Sequence, residues 1–319
     1  MKIGNVELKS PVVLAPLAGI SDLVFRRICR RLGAGMTTTE MVSAKAIIHG
    51  NATTRLLLRT EPEESPVAVQ LFGSDPDAMA EAAAFLNDHD FDTLDINMGC
   101  PAAKIVKNGD GSALMRDPAL IGRIVKAVVA VAKRPVTAKI RLGWDANSIN
   151  CVHVAKIVEA EGVSAITVHG RTRAMMFSGE ACWDGIKSVK DAVKVPVIGN
   201  GDIKCPQQAK RLMEHSGVDG LMVGRGSYGD PWLFGRITEY LKTGELLPMP
   251  TAQEKIDLAL EHAKAAMEHN GEKIAMREMR KHMAWYIKGL HGATTAKVAI
   301  NNSESFEEIK EILMKMGEE

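Results

Sequence analysis

The sequence predicts an α/β protein, a (β/α)8 barrel of the TIM type followed by a small C-terminal helical domain. Three observations carry this. Eight short β-rich runs recur between residues 12 and 223, several continuously apolar, as parallel strands covered on both faces require. Helical patterns separate most of them. Nearly every run ends in glycine or polar residues. In a closed barrel those ends share one face, whereas an open doubly wound sheet gathers only the ends near its switch point.

The predicted strands are 12–17, 36–41, 67–72, 93–98, 136–142, 165–169, 196–200 and 220–223. The clearest helices between them are 75–87 and 118–133, where Asp75 and Asp117 are N-cap candidates and Pro76 and Pro118 sit in the first turn. The pattern changes near residue 243. Gly244, Pro248 and Pro250 mark 243–250 as a linker, and 251–271, 272–289 and 303–316 read as helices of a small bundle. Thr251 and Glu254 have capping-box spacing, and Ser303 reads as the cap of the last helix. Residues 1–243 are therefore assigned to the barrel and 244–319 to the helical domain.

A chain of 319 residues that is 46% hydrophobic can bury such a core, since a barrel takes ~250 residues. The formal net charge is +1, so any surface for nucleic acid must be local. Cys29, Cys100, Cys151, Cys182 and Cys205 are scattered without a CxxC pair, which argues against a disulfide framework and against a metal site. With no leader-like start and no apolar run of ~18 residues, a cytoplasmic protein without a membrane span is expected.

The sharpest chemical signal is the stretch Asn97-Met98-Gly99-Cys100-Pro101-Ala102-Ala103-Lys104 after the fourth strand. A cysteine in a loop at the barrel mouth can act as an acid or a nucleophile, or simply fill space; Lys104 would lower its pKa if close. Strand alternation puts Lys139 and Arg141 on one side of the fifth strand. If that side is the barrel axis, two buried cations need an anionic partner. Asn200-Gly201-Asp202 and Gly224-Arg225 end the seventh and eighth strands, where barrels often bind phosphate. A mononucleotide suits this better than a P-loop nucleotide, because no GxxxxGK[ST] is present. Pro16, Leu17 and Ala18 after the first strand, and Gln70 in the third, could pack against or hydrogen-bond a planar ring. His169 points at the same mouth.

Arg171 and Arg173 suit phosphate contacts or a solvated loop equally. Arg277, Arg280, Lys281, Trp285 and Lys288 fall at helical spacing, with His282 and Tyr286 between them. They make either an RNA-facing surface or an ordinary amphipathic helix with Trp285 in the core.

Taken together, APLAGISD (15–22), TEMVSA (39–44), QLFG (70–73), DINMGCPAAK (95–104), KIRLG (139–143), HGRTR (169–173), NGD (200–202) and GR (224–225) resemble the tRNA-dihydrouridine synthase family, particularly its bacterial B-type branch. Each motif alone is weak; eight in order over most of the chain are specific. The resemblance implies an FMN-binding barrel with a helical domain that helps to hold tRNA, and NADPH as electron donor. It implies that Pro16, Leu17, Ala18, Gln70, Lys139, His169, Asn200, Gly201, Asp202, Gly224 and Arg225 contact FMN, the last five of them at its ribityl phosphate. Lys139 would face the flavin ring. Cys100 would be the general acid, protonating C5 of uracil after hydride reaches C6 from FMN N5. The candidate substrate contacts are Asn97, Lys104, Arg141, Arg171, Arg173, Arg277, Arg280 and Lys281.

Three rivals share parts of this pattern. An FMN barrel acting on a free pyrimidine, such as a dihydroorotate dehydrogenase, has no use for a basic helical appendage. A phosphate-binding lyase or isomerase could use Lys139 as a Schiff base without flavin. A tRNA-binding protein without chemistry needs neither Cys100 nor the flavin constellation. No obligate protein partner is evident.

Overall fold

The computed structural model describes residues 1–317; Glu318 and Glu319, the end of the segment 244–319, lie outside them. A short antiparallel hairpin, β1 (Lys2–Ile3) and β2 (Val6–Glu7), precedes the barrel. Strands this short show no period-two pattern, so sequence reading passed over them. Eight parallel strands follow: β3 (Val12–Leu14), β4 (Thr37–Ser43), β5 (Val67–Phe72), β6 (Thr93–Asn97), β7 (Val136–Arg141), β8 (Ala165–His169), β9 (Val197–Asn200) and β10 (Gly220–Val223). Each pairs with its successor from β4 to β10, and β10 pairs with β3. The ring closes just before β4, where Val13 bridges Met36 and Gly35 N–H donates to Val12 O at 2.7 Å. Only glycine allows this approach, because a Cβ at Gly35 would lie 1.9 Å from Ser10 O.

Alternation along each strand sorts the core into two layers. Outward residues such as Leu71, Ile96, Ala138, Ile140 and Val168 pack against the surrounding helices. Inward residues near the strand starts, among them Val13, Met36, Ala68, Ala165, Ile198 and Met222, meet Ile3 and Leu8 of the N-terminal segment, which plugs that end. Further along the same strands the interior turns polar, with Gln70, Asp95, Asn97, Thr137, Lys139, Arg141, His169 and Asn200 all buried.

The helices are α1 (Leu23–Arg31) after β3, α2 (Ala44–Ile48) and α3 (Ala52–Leu57) after β4, and α4 (Pro76–Leu86) after β5. Then come α5 (Ala103–Lys107) and α6 (Pro118–Val131) after β6, α7 (Cys151–Ala160), α8 (Trp183–Lys190), α9 (Pro206–Ser216) and α10 (Leu233–Thr243). Asp75 accepts from Asp77 and Ala78 N–H, and Asp117 from Leu120 N–H, so both caps form with proline in the first turn. Gly244, at φ +80°, ends α10, and the stretch up to Pro250 has no regular structure.

Four helices follow: α11 (Ala252–Asn270), α12 (Glu272–Tyr286), α13 (Ala293–Asn302) and α14 (Phe306–Gly317). The Thr251–Glu254 capping box forms. Helix α13 was not expected; its run ATTAKVAINN carries two threonines and little apolar periodicity. Its presence corrects the expected role of Ser303, whose hydroxyl donates back to Ala299 O at 2.9 Å and closes α13. Ser305 takes the N-terminal position of α14 instead, accepting from Glu308 N–H. No helix among the described residues is long and apolar enough to cross a membrane.

Helix α1 serves two cores. Phe25 and Cys29 join the barrel core, the Phe25 ring also packing on His262 and His282 of the bundle, while Val24 and Ile28 enter the cluster formed by Ile256, Met279, Met283, Ile300 and Leu313. A second join lies after β10, where Tyr228 stacks on half-buried Trp285 with ring centroids 4.2 Å apart. Gly229 follows at φ +69°, and a Cβ there would come within 2.3 Å of Trp285 O. Gly229→Ala should therefore cost at least ~2 kcal/mol, because neither α12 backbone nor the left-handed turn can yield. Gly244→Ala, equally left-handed but facing open space, should cost only ~1 kcal/mol. Urea denaturation of both variants checks this; equal losses would show that crowding at Trp285 is not the determinant.

Candidate active site

The strand ends hold a buried hydrogen-bonded relay. Register places Gln70 beside Asp95 and Asp95 beside Thr137 on adjacent strands. Gln70 Nε2 donates to Asp95 Oδ2 at 2.7 Å and Thr137 Oγ1 to Asp95 Oδ1 at 2.5 Å. Asn97 Nδ2 donates to Gln70 Oε1 at 2.7 Å, and Asn97 Oδ1 accepts from the backbone N–H groups of Gly99 and Cys100 at 3.1 and 2.9 Å. The relay thus fixes the loop that presents half-buried Cys100. From the other side, Ser112 donates to Cys100 O through both N–H and hydroxyl. Burial pushes the Asp95 carboxyl up, opposed by its hydrogen bonds and by Lys139.

Beside the relay stands a group of cations. Lys139 is buried, and its Nζ donates to a neutral amide, Asn200 Oδ1, at 3.3 Å. Burial, reinforced by Arg141, lowers its pKa to about 8, with Asp95 and Cys100 acting the other way. Arg141 donates Nε to Gly99 O at 2.6 Å and Nη1 to Thr172 O and Met176 O, both at 2.8 Å, so it ties the Cys100 loop to the loop after β8. Burial lowers its pKa to about 10. His169 is held neutral, first by burial and then by Lys139, Arg141, Arg171 and Arg225.

Arg171 and Asp202, read from sequence as separate ligand contacts, pair with each other at 2.7 Å. Arg225 joins Asp202 at 3.3 Å. Burial favours the neutral Asp202 carboxyl, but hydrogen bonds from Arg171 and from Ala181 N–H outweigh it and hold its pKa below the usual value. Arg171 is almost fully buried, and its Nη1 has no hydrogen-bond partner among the described residues.

Around His169 the mouth gathers Lys139, Arg141, Arg171 and Arg225, with Asp95 and Asp202 as the carboxylates set among them, an excess of cations that suits an anion. Glycines leave its wall open. Gly201 has φ +141°, and a Cβ at Gly224 would meet nothing nearer than Ala15 and Leu17 at 3.6 Å. Pro16, Leu17 and Ala18 lie on the adjoining rim in the loop between β3 and α1.

Cys100, Asn97, Gln70, Lys139, Arg141, His169, Arg171, Asn200, Gly201, Asp202, Gly224 and Arg225 thus share the C-terminal ends of neighbouring strands or the loops that follow. Pro16, Leu17 and Ala18 border them in the loop after β3, whereas the remaining substrate candidates are engaged elsewhere or exposed. Lys104 and Arg277 are exposed on α5 and α12. Arg173 packs over the Trp144 ring at 4.5 Å, opposite Arg116 at 4.9 Å. Arg280 donates to Ser303 O, and Lys281 reaches Gly19 O in the β3–α1 loop. Sequence reading missed Asp95 and Thr137, although alternation with Asn97 and Lys139 places both on the inner face. It also missed Phe177, whose ring lies 5.7 Å from the Arg141 guanidinium and 5.5 Å from that of Arg225. A groove between α1 and α11, lined by Val24, Arg27, Ile28, Arg31 and Glu261, lies outside the strand ends.

Comparison with known proteins gives a consistent result. The family model described as "Dihydrouridine synthase (Dus)" matches residues 13–317. The chain is 45% identical over 302 residues to a probable tRNA-dihydrouridine synthase of Rickettsia bellii, covering 94% of this chain and 93% of the relative. It is 44% identical over 301 residues to tRNA-dihydrouridine synthase B of Pseudomonas aeruginosa, with 94% and 91% covered. Among solved structures, histamine dehydrogenase from Rhizobium sp. 4-9 aligns at TM-score 0.57 and 15% identity, over 76% of this chain and 47% of that one. Morphinone reductase in complex with tetrahydroNAD aligns at 0.51 and 12%, over 80% and 92%. At such identities these two show the barrel fold alone.

The position of Lys139 has a measurable consequence in the ligand-free protein. Unfolded, it titrates at the ordinary 10.5; folded, at about 8. Between those values the unfolded chain binds more protons, so stability rises with pH. The rise from this residue should approach ~3 kcal/mol by pH 10.5. Lys139→Met should lack this rise, so the gap between the wild-type and variant stability–pH curves should change by that amount between pH 8 and pH 10.5. Parallel curves from pH 7 to 11 would mean that Lys139 is not desolvated as the structure has it.

Proposed function

The chain belongs to the dihydrouridine synthase family, and from that premise we propose that it reduces the C5=C6 bond of uridines in tRNA, with FMN as its flavin and NADPH as the electron donor. The observation that supports this best is the convergence of Cys100 with the cationic, Lys139-centred mouth at the ends of adjacent strands. Residues 1–243 are taken as the catalytic barrel and 244–319 as the tRNA-gripping part, with the reaction in the cytoplasm.

Lys139, His169, Asn200, Gly201, Gly224 and Arg225 would hold FMN, together with Gln70 and the rim residues Pro16, Leu17 and Ala18. Asp202 contributes by orienting Arg171 and Arg225, because its carboxylate is already committed to them. When bound, FMN supplies hydride chemistry. The uracil C5=C6 bond is conjugated to a carbonyl, so hydride at C6 creates a demand for a proton at C5. Cys100 Sγ–H meets that demand. The Cys100 sulfur lies within the electrostatic reach of Lys139 and Arg141, and solvent returns the proton it gives up. Asn97 acts through its grip on the Gly99 and Cys100 N–H groups, and neutral His169 offers a hydrogen bond without further positive charge.

The target uridine must leave its stack to reach this recess, which requires a grip on the surrounding RNA. Arg277 and Lys288 on and after α12 and Lys104 on α5 are exposed, and these, with Arg173 beside Trp144, would supply the cations for such a grip.

The decisive experiment is an absorbance spectrum of the purified protein, followed by anaerobic addition of NADPH and then of tRNA lacking dihydrouridine. Flavin bands should bleach with NADPH and recover with tRNA. Recovery with free pyrimidines but not with tRNA would replace this reading by that of a free-base reductase. Cys100→Ala should retain flavin and its bleaching by NADPH while product formation falls by ~10²–10⁴-fold. Unchanged product formation would remove Cys100 from the role of acid.

A further inference from the structure

The tip of the β3–α1 loop is held in an unusual way. Gly19, at φ +70°, has both backbone polar groups taken by charged side chains from elsewhere in the chain. Its N–H donates to Glu40 Oε2 at 2.5 Å, from within β4, and its carbonyl accepts from Lys281 Nζ, from α12. Such charge-assisted bonds are roughly twice as strong as neutral ones. The rest of the loop is tied to itself. Leu17 N–H donates to Ser21 Oγ at 2.9 Å, and the N–H groups of Ile20 and Ser21 both donate to Leu17 O at 2.9 Å. Residues 17–21 therefore move as one unit, and the Gly19 peptide is the handle by which the barrel and the helical bundle both grip it.

Lys281 is well placed for this and poorly placed to seize a distant phosphate. It is half-buried, it precedes His282, which packs in the bundle, and Trp285 one turn later is stacked on Tyr228 of the barrel. Glu40 feels its charge. Burial raises the Glu40 carboxyl, Gly19 N–H and Lys281 oppose that rise, and Glu278 adds to it. Lysine, peptide and carboxylate form one clasp.

We propose that Lys281 and Glu40 are positioning residues for the flavin: by clasping Gly19 they set the loop carrying Pro16, Leu17 and Ala18, so that docking of the helical bundle and retention of the cofactor are coupled. This rests on the reading of the mouth as a flavin site. It moves Lys281 from the RNA surface to the cofactor. Coupling is reciprocal, so bound flavin tightens the docking of α12 by the same factor that α12 tightens the flavin.

The test is the FMN dissociation constant of the full chain, measured by fluorescence titration for wild type, Lys281→Met, Lys281→Arg and Glu40→Gln. Lys281→Met should weaken FMN by roughly tenfold, within the usual span of such couplings. Lys281→Arg, which keeps a cationic donor, should recover most of that loss, and Glu40→Gln, which alters the clasp from the barrel side, should weaken FMN as well. FMN should also slow amide exchange in α12 of the wild type, and not in Lys281→Met. The contrary result is an FMN constant unchanged in Lys281→Met and Glu40→Gln. If tRNA affinity then falls and its salt slope drops by about one unit, Lys281 is a phosphate contact instead. A wild-type protein that takes no FMN at all would overturn the flavin reading itself, a failure distinct from either.

Discussion

A carboxylate and an ammonium buried on the axis of one barrel constrain almost everything at its mouth. Asp95 and Lys139 both lie on the inner face, and neither could remain there without directed partners. Asp95 draws donors from the two flanking strands, Gln70 from β5 and Thr137 from β7. Because Gln70 must turn its Nε2 toward Asp95, its Oε1 is left to accept from Asn97, and Asn97 in turn has its oxygen free for the Cys100 loop. The orientation of two amides follows from one carboxylate. Lys139 has a weaker partner in Asn200, and that imbalance is what makes the mouth receptive to an electron-rich ligand.

The second arrangement that governs the molecule is the sharing of α1. A barrel helix ordinarily has one apolar stripe and a wet back. Here the back of α1 is also apolar at Val24 and Ile28 and is covered by α11 and its neighbours. The bundle is thus packed on the barrel rather than tethered to it, with the Tyr228–Trp285 stack as a second anchor. Rim pairing of Arg31 with Glu261, exposed on both sides, adds little by comparison.

Much of this was legible in the residues themselves. Seven of the eight parallel strands came within a residue or two of their observed limits, because apolar runs between glycines and prolines leave few alternatives; the first, expected over 12–17, ends at Leu14 as the chain turns into the β3–α1 loop. Alternation alone placed Lys139 and Arg141 on one face of β7. What could not be read was which distant groups meet. Arg171 and Asp202 look like two ligand contacts until the fold sets them 2.7 Å apart. Lys281 looks like one more cation in a basic helix, since periodicity gives its face and not what lies opposite. Helix α13 escaped because its threonines blur the pattern that distinguishes a helix from a loop. The closure at Gly35 is a pairing between the first strand and the approach to the second, and local sequence carries no sign of it.

That closure makes the barrel a hoop with one short splice. Elsewhere neighbouring strands are laced over three to five register positions, but β3 and β4 meet through the single Val13–Met36 bridge and the few backbone bonds around it. A hoop is weakest at its splice, so the β3–β4 seam is where the fewest backbone bonds hold the ring closed. Directly above that seam sit the loop of Pro16–Ala18 and the carboxylate of Glu40. The sector of the mouth with the least strand pairing beneath it is therefore the one to which a helix from outside the barrel reaches over, acting as a buckle across the join.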